Sequence, residues 1–255
     1  MTSDTSDTRI ITARRAYEFR QDQIRLSAIS VPAMQDYIRQ HFNFQLVALG
    51  TPQPTFGDVP VTLPPGIVFN FGTVPAGKDG VAEPTMIRFL HFEARRIVID
   101  VAAPSSAIDT IFAHLTSMLS SARTPDGTPI IGTPDHIRDY SEITRHTPYK
   151  AEVLIPPELR EVVSHTLGMD ADSGRSILAP SIRIVSVAPD REYAGSGVMP
   201  PDLSSFVYEL RSGTRPDEQV YFSAAPLATD AHLQYIEHLE AIFSSTGCAT
   251  SGFVG

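Results

Sequence analysis

The sequence predicts an α+β chain in which one unit, strand–helix–three to four strands–helix, occurs twice, with a mainly antiparallel sheet covered by helices. Three observations carry this reading. "IFAHLTSMLSS" at 111–121 is echoed 124 positions later by "YIEHLEAIFSS" at 235–245, with identity at His114/His238, Leu115/Leu239, Ser120/Ser244 and Ser121/Ser245. "VPAMQDYIRQHF" from Val31 is echoed at an offset of 125 by "PPELREVVSHTL" from Pro156, which sets Pro32 against Pro157. Each pair also holds the same place relative to an intervening hairpin. Amphipathic helices resemble one another by chance, but two nearly equal offsets with a shared order of elements point to an internal repeat.

The elements of the first half follow from local patterns. Residues 1–15, "MTSDTSDTRIITARR", are polar and read as a flexible tail. "QIRLSAIS" (23–30) alternates like a strand. Val31–Pro32 opens a helix, since proline suits the first turn. Met34, Tyr37, Ile38, His41 and Phe42 fall on one of its faces. "FQLVALG" (44–50) reads as a short strand, and the five prolines of 50–66 leave little room for regular structure. "GIVFNFGTV" (66–74) is a strand. "TMIRFLHFE" then turns at Ala94–Arg95 into "RIVIDVA", a hairpin. The helix over 102–121 buries Ile108, Ile111, Phe112, Leu115, Met118 and Leu119, with Ser105 or Ser106 as its N-cap.

The first repeat is therefore 16–122, a proline-rich junction covers 123–140, the second repeat is 141–245, and 246–255 forms a flexible tail. Within the second repeat, "YKAEVLI" (149–155) precedes the helix opening at Pro157, and "SILA" (176–179) and "SIRIVSVA" (181–188) follow as strands. "SFVYELRS" and "EQVYFSA" make a hairpin through "GTRPD", where Gly213 and Pro216 supply the turn chemistry. The closing helix, 224–245, starts at Thr229 or Asp230 and buries Leu233, Ile236, Leu239, Ile242 and Phe243.

This order resembles the β-α-β4-α arrangement of the TATA-box-binding-protein-like and helix-grip folds. The resemblance covers the order of elements over most of the chain and carries no motif. The first of these folds is itself duplicated into a saddle whose underside is basic. Here the formal charge is −9, so the resemblance implies architecture without DNA binding.

Composition bounds the function. At 255 residues, 42% apolar and 19% charged, the chain is globular in composition and long enough for one large domain or two ordinary ones. Its acidity argues against general nucleic-acid binding, which draws on lysines and arginines against phosphates. No apolar run approaches the roughly 20 residues of a spanning helix. The first residues lack a secretory apolar stretch, so a soluble, cytoplasmic protein is expected. The single cysteine, Cys248, makes neither an internal disulfide nor a cysteine-rich metal site.

No motif names a reaction. His91 and Glu93 in "LHFE" share a strand face, as a metal or acid–base pair or as part of a solvated side. No Pro-Cys-x-x-Cys follows to make a deaminase site. His114 and His238 match in the repeat and lie beside the apolar stripes, as edge residues or as lining of a shared groove. His232 and His238, six apart, do not share a helical face. "DHIRDYSEITRH" (135–146) is the densest titratable stretch and reads as solvated junction. "MDADSGRS" (169–176) lacks the closing glutamate of a calcium loop, and "GSG" (195–197) is too short to cradle phosphate.

The expectation is a non-enzymatic binding or interaction protein, of adaptor, inhibitor or immunity type, with a protein partner meeting a surface between two similar units. The alternative is a small-molecule binder or enzyme with a cavity between sheet and helix, where His91, Glu93, Tyr208 and Glu209 orient the ligand. A structural component of a larger assembly is the third. No catalytic residue, metal or cofactor is assigned, and a monomer with internal pseudo-twofold symmetry is expected.

Overall fold

The computed structural model describes residues 8–49, 55–56, 59–60, 66–74, 84–120, 122–124, 127–149, 181–184, 205–215 and 218–245. The fold is mixed α+β, with nine strands in mainly antiparallel sheet and four helices among these residues. They divide into two compact units. The first is drawn from Ile10–Ser141 with Leu227–Thr229, and the second from Glu142–Pro226 and Asp230–Gly255 with Met1–Arg9.

In the first unit β1 (Thr8–Glu18) leads into a single helical turn, α1 (Leu26–Ile29), and then α2 (Pro32–His41). Strands β2 (Leu46–Leu49), β5 (Ile67–Val74), β6 (Thr85–Phe92) and β7 (Arg96–Val101) follow, and α3 (Ser105–Ser120) closes the run. Between β2 and β5 the proline-rich stretch forms a small separate ladder, β3 (Thr55–Phe56) against β4 (Val59–Pro60). The main sheet runs β2-β5-β6-β7-β1, each pair antiparallel. Phe69, Ile87, Leu90, Phe92, Ile97, Ile99 and Val101 turn to one face, where they meet Ile38, Ile108, Ile111, Leu115 and Leu119 of the helices in a single core. The Phe112 ring stacks on Tyr17 of β1, centroids 3.5 Å apart.

The second unit holds the end of β8 (His136–His146), then β9 (Ser181–Ile184), β10 (Phe206–Leu210), β11 (Val220–Ala225) and most of α4 (Thr229–Ser245). Its strand order is β8-β11-β10-β9, with β10 antiparallel to both β11 and β9.

Several expected elements of the described residues lie where the patterns put them; the expected first strand, 23–30, does not. The segment 23–30 is not a strand. Ile24 makes one isolated bridge to Ile131, and 26–29 close a helical turn in which the Ser30 hydroxyl donates to the Leu26 carbonyl, 2.7 Å. The strand is β1, inside what reads as a flexible tail. Its arginines suggest solvent, yet Thr12, Ala13, Arg15 and Tyr17 are all buried. Likewise β8 begins within the expected junction, and its Ser141, Ile143 and Thr144 are buried. Tyr37 and Ile242, expected in the core, are half-exposed or more. The expected elements at 150–180, the end of the 181–188 strand, the stretches 169–176 and 195–197, and Cys248 lie outside the described residues.

Two polar contacts in the first unit join residues 124 positions apart in the chain. The Ser105 and Thr229 hydroxyls lie 2.9 Å from each other. The Ser105 N–H donates to Thr229 Oγ1 at 3.0 Å, and the Thr229 N–H to Ser105 Oγ at 2.9 Å. The first N–H groups of a helix have no partner within it. Here each is satisfied by the side chain of the other residue, and both residues are buried. Arg15 Nε donates to Asp139 Oδ1 at 2.6 Å, and its Nη1 pairs with Asp109. Ser105 to Thr229 and Arg15 to Asp139 are each separations of 124.

Candidate functional site

The four residues singled out by sequence fall two in each unit. His91 lies on β6 opposite Val68 of β5 and Val98 of β7, on the face away from Leu90 and Phe92. It is buried, not solvated. Its Nδ1 sits 3.3 Å from Glu93 Oε1, and Glu93 accepts both Arg96 Nε (3.2 Å) and Nη2 (3.0 Å) across the β6–β7 turn. Burial lowers the imidazole's proton affinity, Glu93 opposing and Arg96 adding to the effect. Glu93 thus favours the Nδ1–H tautomer and leaves Nε2 as a buried lone pair with no hydrogen-bond partner among the described residues. The pair expected from "LHFE" is formed, in an enclosed place beside Gly66. A Cβ on Gly66 would approach Nε2 to 2.7 Å.

Tyr208 and Glu209 alternate along β10 and so point to opposite faces. Tyr208 is buried and stacks on Tyr221, centroids 4.8 Å apart and planes within 12°. Burial, with Glu240 nearby, pushes its phenol well above the usual range. Glu209 is half-buried across from Phe222 and Ser181.

Sequence reasoning missed two polar contacts in the second unit. Arg145 Nη2 pairs with Glu240 Oε2 at 2.8 Å, and burial raises the Glu240 carboxyl against the pull of Arg145. His232 is fully buried, its Nε2 2.8 Å from Ser223 Oγ. Because Ser223 Oγ also donates to the Val207 carbonyl (2.9 Å), His232 is the donor of the pair. With its proton affinity lowered by burial to about 4, the ring is neutral. The available signal was periodicity: His232, Ile236, Glu240 and Phe243 follow one another at spacings of four, four and three along α4, a buried stripe with two polar members.

Among these places His91, Tyr208, His232 and Glu240 are closed to a reactant by burial. An accessible concavity exists in the first unit instead. It is a groove of about 710 Å³ lined by α1, α2, Ala122, Arg123, Thr124 and Ile130. Ala28, Val31, Ala33, Met34 and Tyr37 supply its apolar lining, and Arg123 and Thr124 are among its polar residues. Val31 and Tyr37 are each 50% exposed.

Local chemistry holds both walls. Proline at the start of α2 and the Val31 carbonyl, which accepts from Met34 and Gln35, fix the bend between α1 and α2. On the other side Arg25 N–H donates to the Ile130 carbonyl (2.9 Å), and Gly132 N–H to the Gln23 carbonyl (2.8 Å). Thr124 N–H donates to the Thr128 carbonyl (3.0 Å), and Gly127 takes the left-handed conformation (φ +82°) that this tight reversal requires. Arg123 folds back so that Nη1 donates to the Ala122 carbonyl (3.2 Å) and the Ser120 carbonyl at the end of α3. A cation is favoured at a helix C-terminus. No carboxylate among the described residues pairs with Arg123.

Comparison with known families, curated proteins and solved structures finds no match. The groove therefore stands on its own geometry. Its volume lies within the roughly 300–1,000 Å³ of small-molecule sites, and an apolar wall with few polar groups is their usual lining. Among the described residues no three histidine, cysteine, aspartate or glutamate side chains gather to hold a metal, and no helix is long and apolar enough to cross a membrane.

Proposed function

We propose that the chain is a non-catalytic binding protein whose first unit takes a small amphipathic anion, an alkyl or aryl carboxylate, in the groove lined by α2 with Ala122, Arg123, Thr124 and Ile130. One observation carries this reading: Ala28, Val31, Met34 and Tyr37 line one groove together with Arg123, whose guanidinium has no carboxylate partner among the described residues. The wall suits a hydrocarbon body, and the Arg123 guanidinium suits a carboxylate.

On the same reading the two units are copies of one module. The run of strand, three strands and helix, β1-β5-β6-β7-α3 and β8-β9-β10-β11-α4, supports this, as do the two contacts between positions 124 apart. The β2-β5-β6-β7-β1 order likewise supports the comparison with the TATA-box-binding-protein-like and helix-grip arrangement.

The test is calorimetric titration with sodium decanoate, sodium octanoate and decanol. Each buried CH₂ contributes about 0.8 kcal/mol, so decanoate is expected to bind about tenfold more tightly than octanoate. Arg123→Gln should weaken decanoate several-fold and leave decanol unchanged. Failure of millimolar decanoate to bind, or binding indifferent to both chain length and Arg123, rejects the proposal; a macromolecular occupant would then take its place.

A further inference from the structure

Three buried polar atoms of the second unit have no hydrogen-bond partner among the described residues: Arg145 Nε, Tyr208 Oη and Glu240 Oε1. They come from three elements, β8, β10 and α4. Tyr208 is 1% exposed and Glu240 8%, so bulk solvent does not satisfy them. An unpaired buried donor or acceptor is costly, and three in one place call for a common partner.

Covalent geometry draws the first and last together. Arg145 Nη2 and Glu240 Oε2 lie 2.8 Å apart, and Nε and Oε1 are each attached to that contact through one carbon. A guanidinium and a carboxylate commonly close such a fork with two parallel bonds. Here one prong is made and the other is open. Tyr208 joins them at Thr147. That fully buried hydroxyl stands close enough to both the Tyr208 phenol and the Glu240 carboxyl to favour their ionised forms, while accepting from the Tyr149 N–H at 3.3 Å. Aromatic rings surround the place: Tyr208 stacks on Tyr221, and the Phe243 centroid is 6.4 Å from that of Tyr208.

Charge and donor count select the ligand. Glu240, with Glu237 on the far side of Arg145, repels an anion, and Arg145 repels a cation. Arg145 Nε–H only donates, a carboxylate Oε1 only accepts, and the Tyr208 hydroxyl does either. One neutral molecule carrying both lone pairs and an O–H satisfies all three. Water accepts from Arg145 Nε–H and from Tyr208 O–H, and donates to Glu240 Oε1. About three hydrogen bonds is the usual complement of a buried water.

We propose that the second unit binds one internal water between Arg145, Tyr208 and Glu240, which completes the open fork and ties β8, β10 and α4 together. The site is independent of the Arg123 groove, which belongs to the first unit.

The experiment uses the full, unaltered chain. A high-resolution crystal structure should show one ordered oxygen about 2.7–3.2 Å from each of the three atoms. In solution, the Arg145 Nε proton should give a dipolar cross-peak at the water frequency in a rotating-frame experiment. The Nε proton of Arg20, whose side chain is 80% exposed, should give the oppositely signed peak of exchange with solvent. Tyr208→Phe removes one partner of the water and should speed exchange of the Arg145 Nε proton several-fold. Because the first two readings are made on the unaltered protein, misfolding of the variant does not blur the outcome. Absence of the oxygen, closure of the fork by a direct Nε–Oε1 bond, or an Arg145 peak of exchange sign alone overturns the proposal.

Discussion

Replacing Ser105 or Thr229 tests whether the reciprocal contact stabilises the protein as its geometry implies. Three hydrogen bonds join the two residues: each N–H to the other's hydroxyl, and one hydroxyl to the other. Ser105→Ala removes two of them and strands the buried Thr229 N–H. Thr229→Val keeps the side-chain shape, removes two, and strands the Ser105 N–H. A net hydrogen bond is worth about 1 kcal/mol, and a stranded buried donor adds about 1–3 kcal/mol. Each single variant should therefore lose about 3–5 kcal/mol in urea unfolding. The double variant loses three bonds, while the two singles together count four. Its cost should fall short of their sum by about 1 kcal/mol, the coupling expected of residues in direct contact. Singles within about 0.5 kcal/mol of the parent, as for ordinary surface changes, or strict additivity in the double, would refute the reasoning.

Further outcomes follow from the buried polar groups and the packing. His232 takes up a proton at about 4 when folded and near 6.5 when unfolded. Between these values the unfolded chain binds more protons, so stability falls as pH drops from about 6.5 to 4, by about 3 kcal/mol; His232→Gln should flatten that slope of urea midpoint against pH. Arg145→Met leaves the Glu240 carboxylate buried without its partner and should cost about 3–5 kcal/mol, whereas Arg145→Met with Glu240→Leu should cost less than the single change. A larger loss in the double would contradict this. Gly72→Ala would set a Cβ 2.5 Å from the buried Phe44 ring and 2.9 Å from the Phe42 carbonyl, so about 1–3 kcal/mol of overpacking is expected in thermal unfolding.

Elements whose residues alternate or recur at helical spacing were legible in the sequence, because burial on one side writes that period directly. Examples are the β6–β7 hairpin, α3 with Ile108, Ile111, Leu115 and Leu119 inward, and α4. The strands β1 and β8 were hidden by their chemistry. Arg15 is buried only because Asp109 and Asp139 meet it, and nothing local to "TARR" announces carboxylates 94 and 124 residues away. The segment 23–30 shows the converse: alternating Ile24, Leu26 and Ala28 resemble a strand, yet the chain needs a turn there to enter α2.

Site residues divide in the same way. His91 and Glu93 were near in sequence and are near in space, so their contact was readable; the burial of His91 was not, because it depends on strands β5 and β7. The Arg145–Glu240 pair and the Arg123 groove bring together segments more than 70 residues apart. No spacing rule reaches across such a distance. The matched serine and threonine that open α3 and α4 were legible as helix starts, but not as partners of each other.

Ligand entry at the groove is tested most directly by methyl NMR of protein labelled at alanine and methionine, titrated with sodium decanoate. The account predicts saturable shifts at Ala28, Ala33, Met34 and Ala122, with Met86 on β6 and Met118 in the core unmoved. Shifts that spread over Met86 and Met118, or that leave Met34 unchanged while decanoate binds, would contradict it.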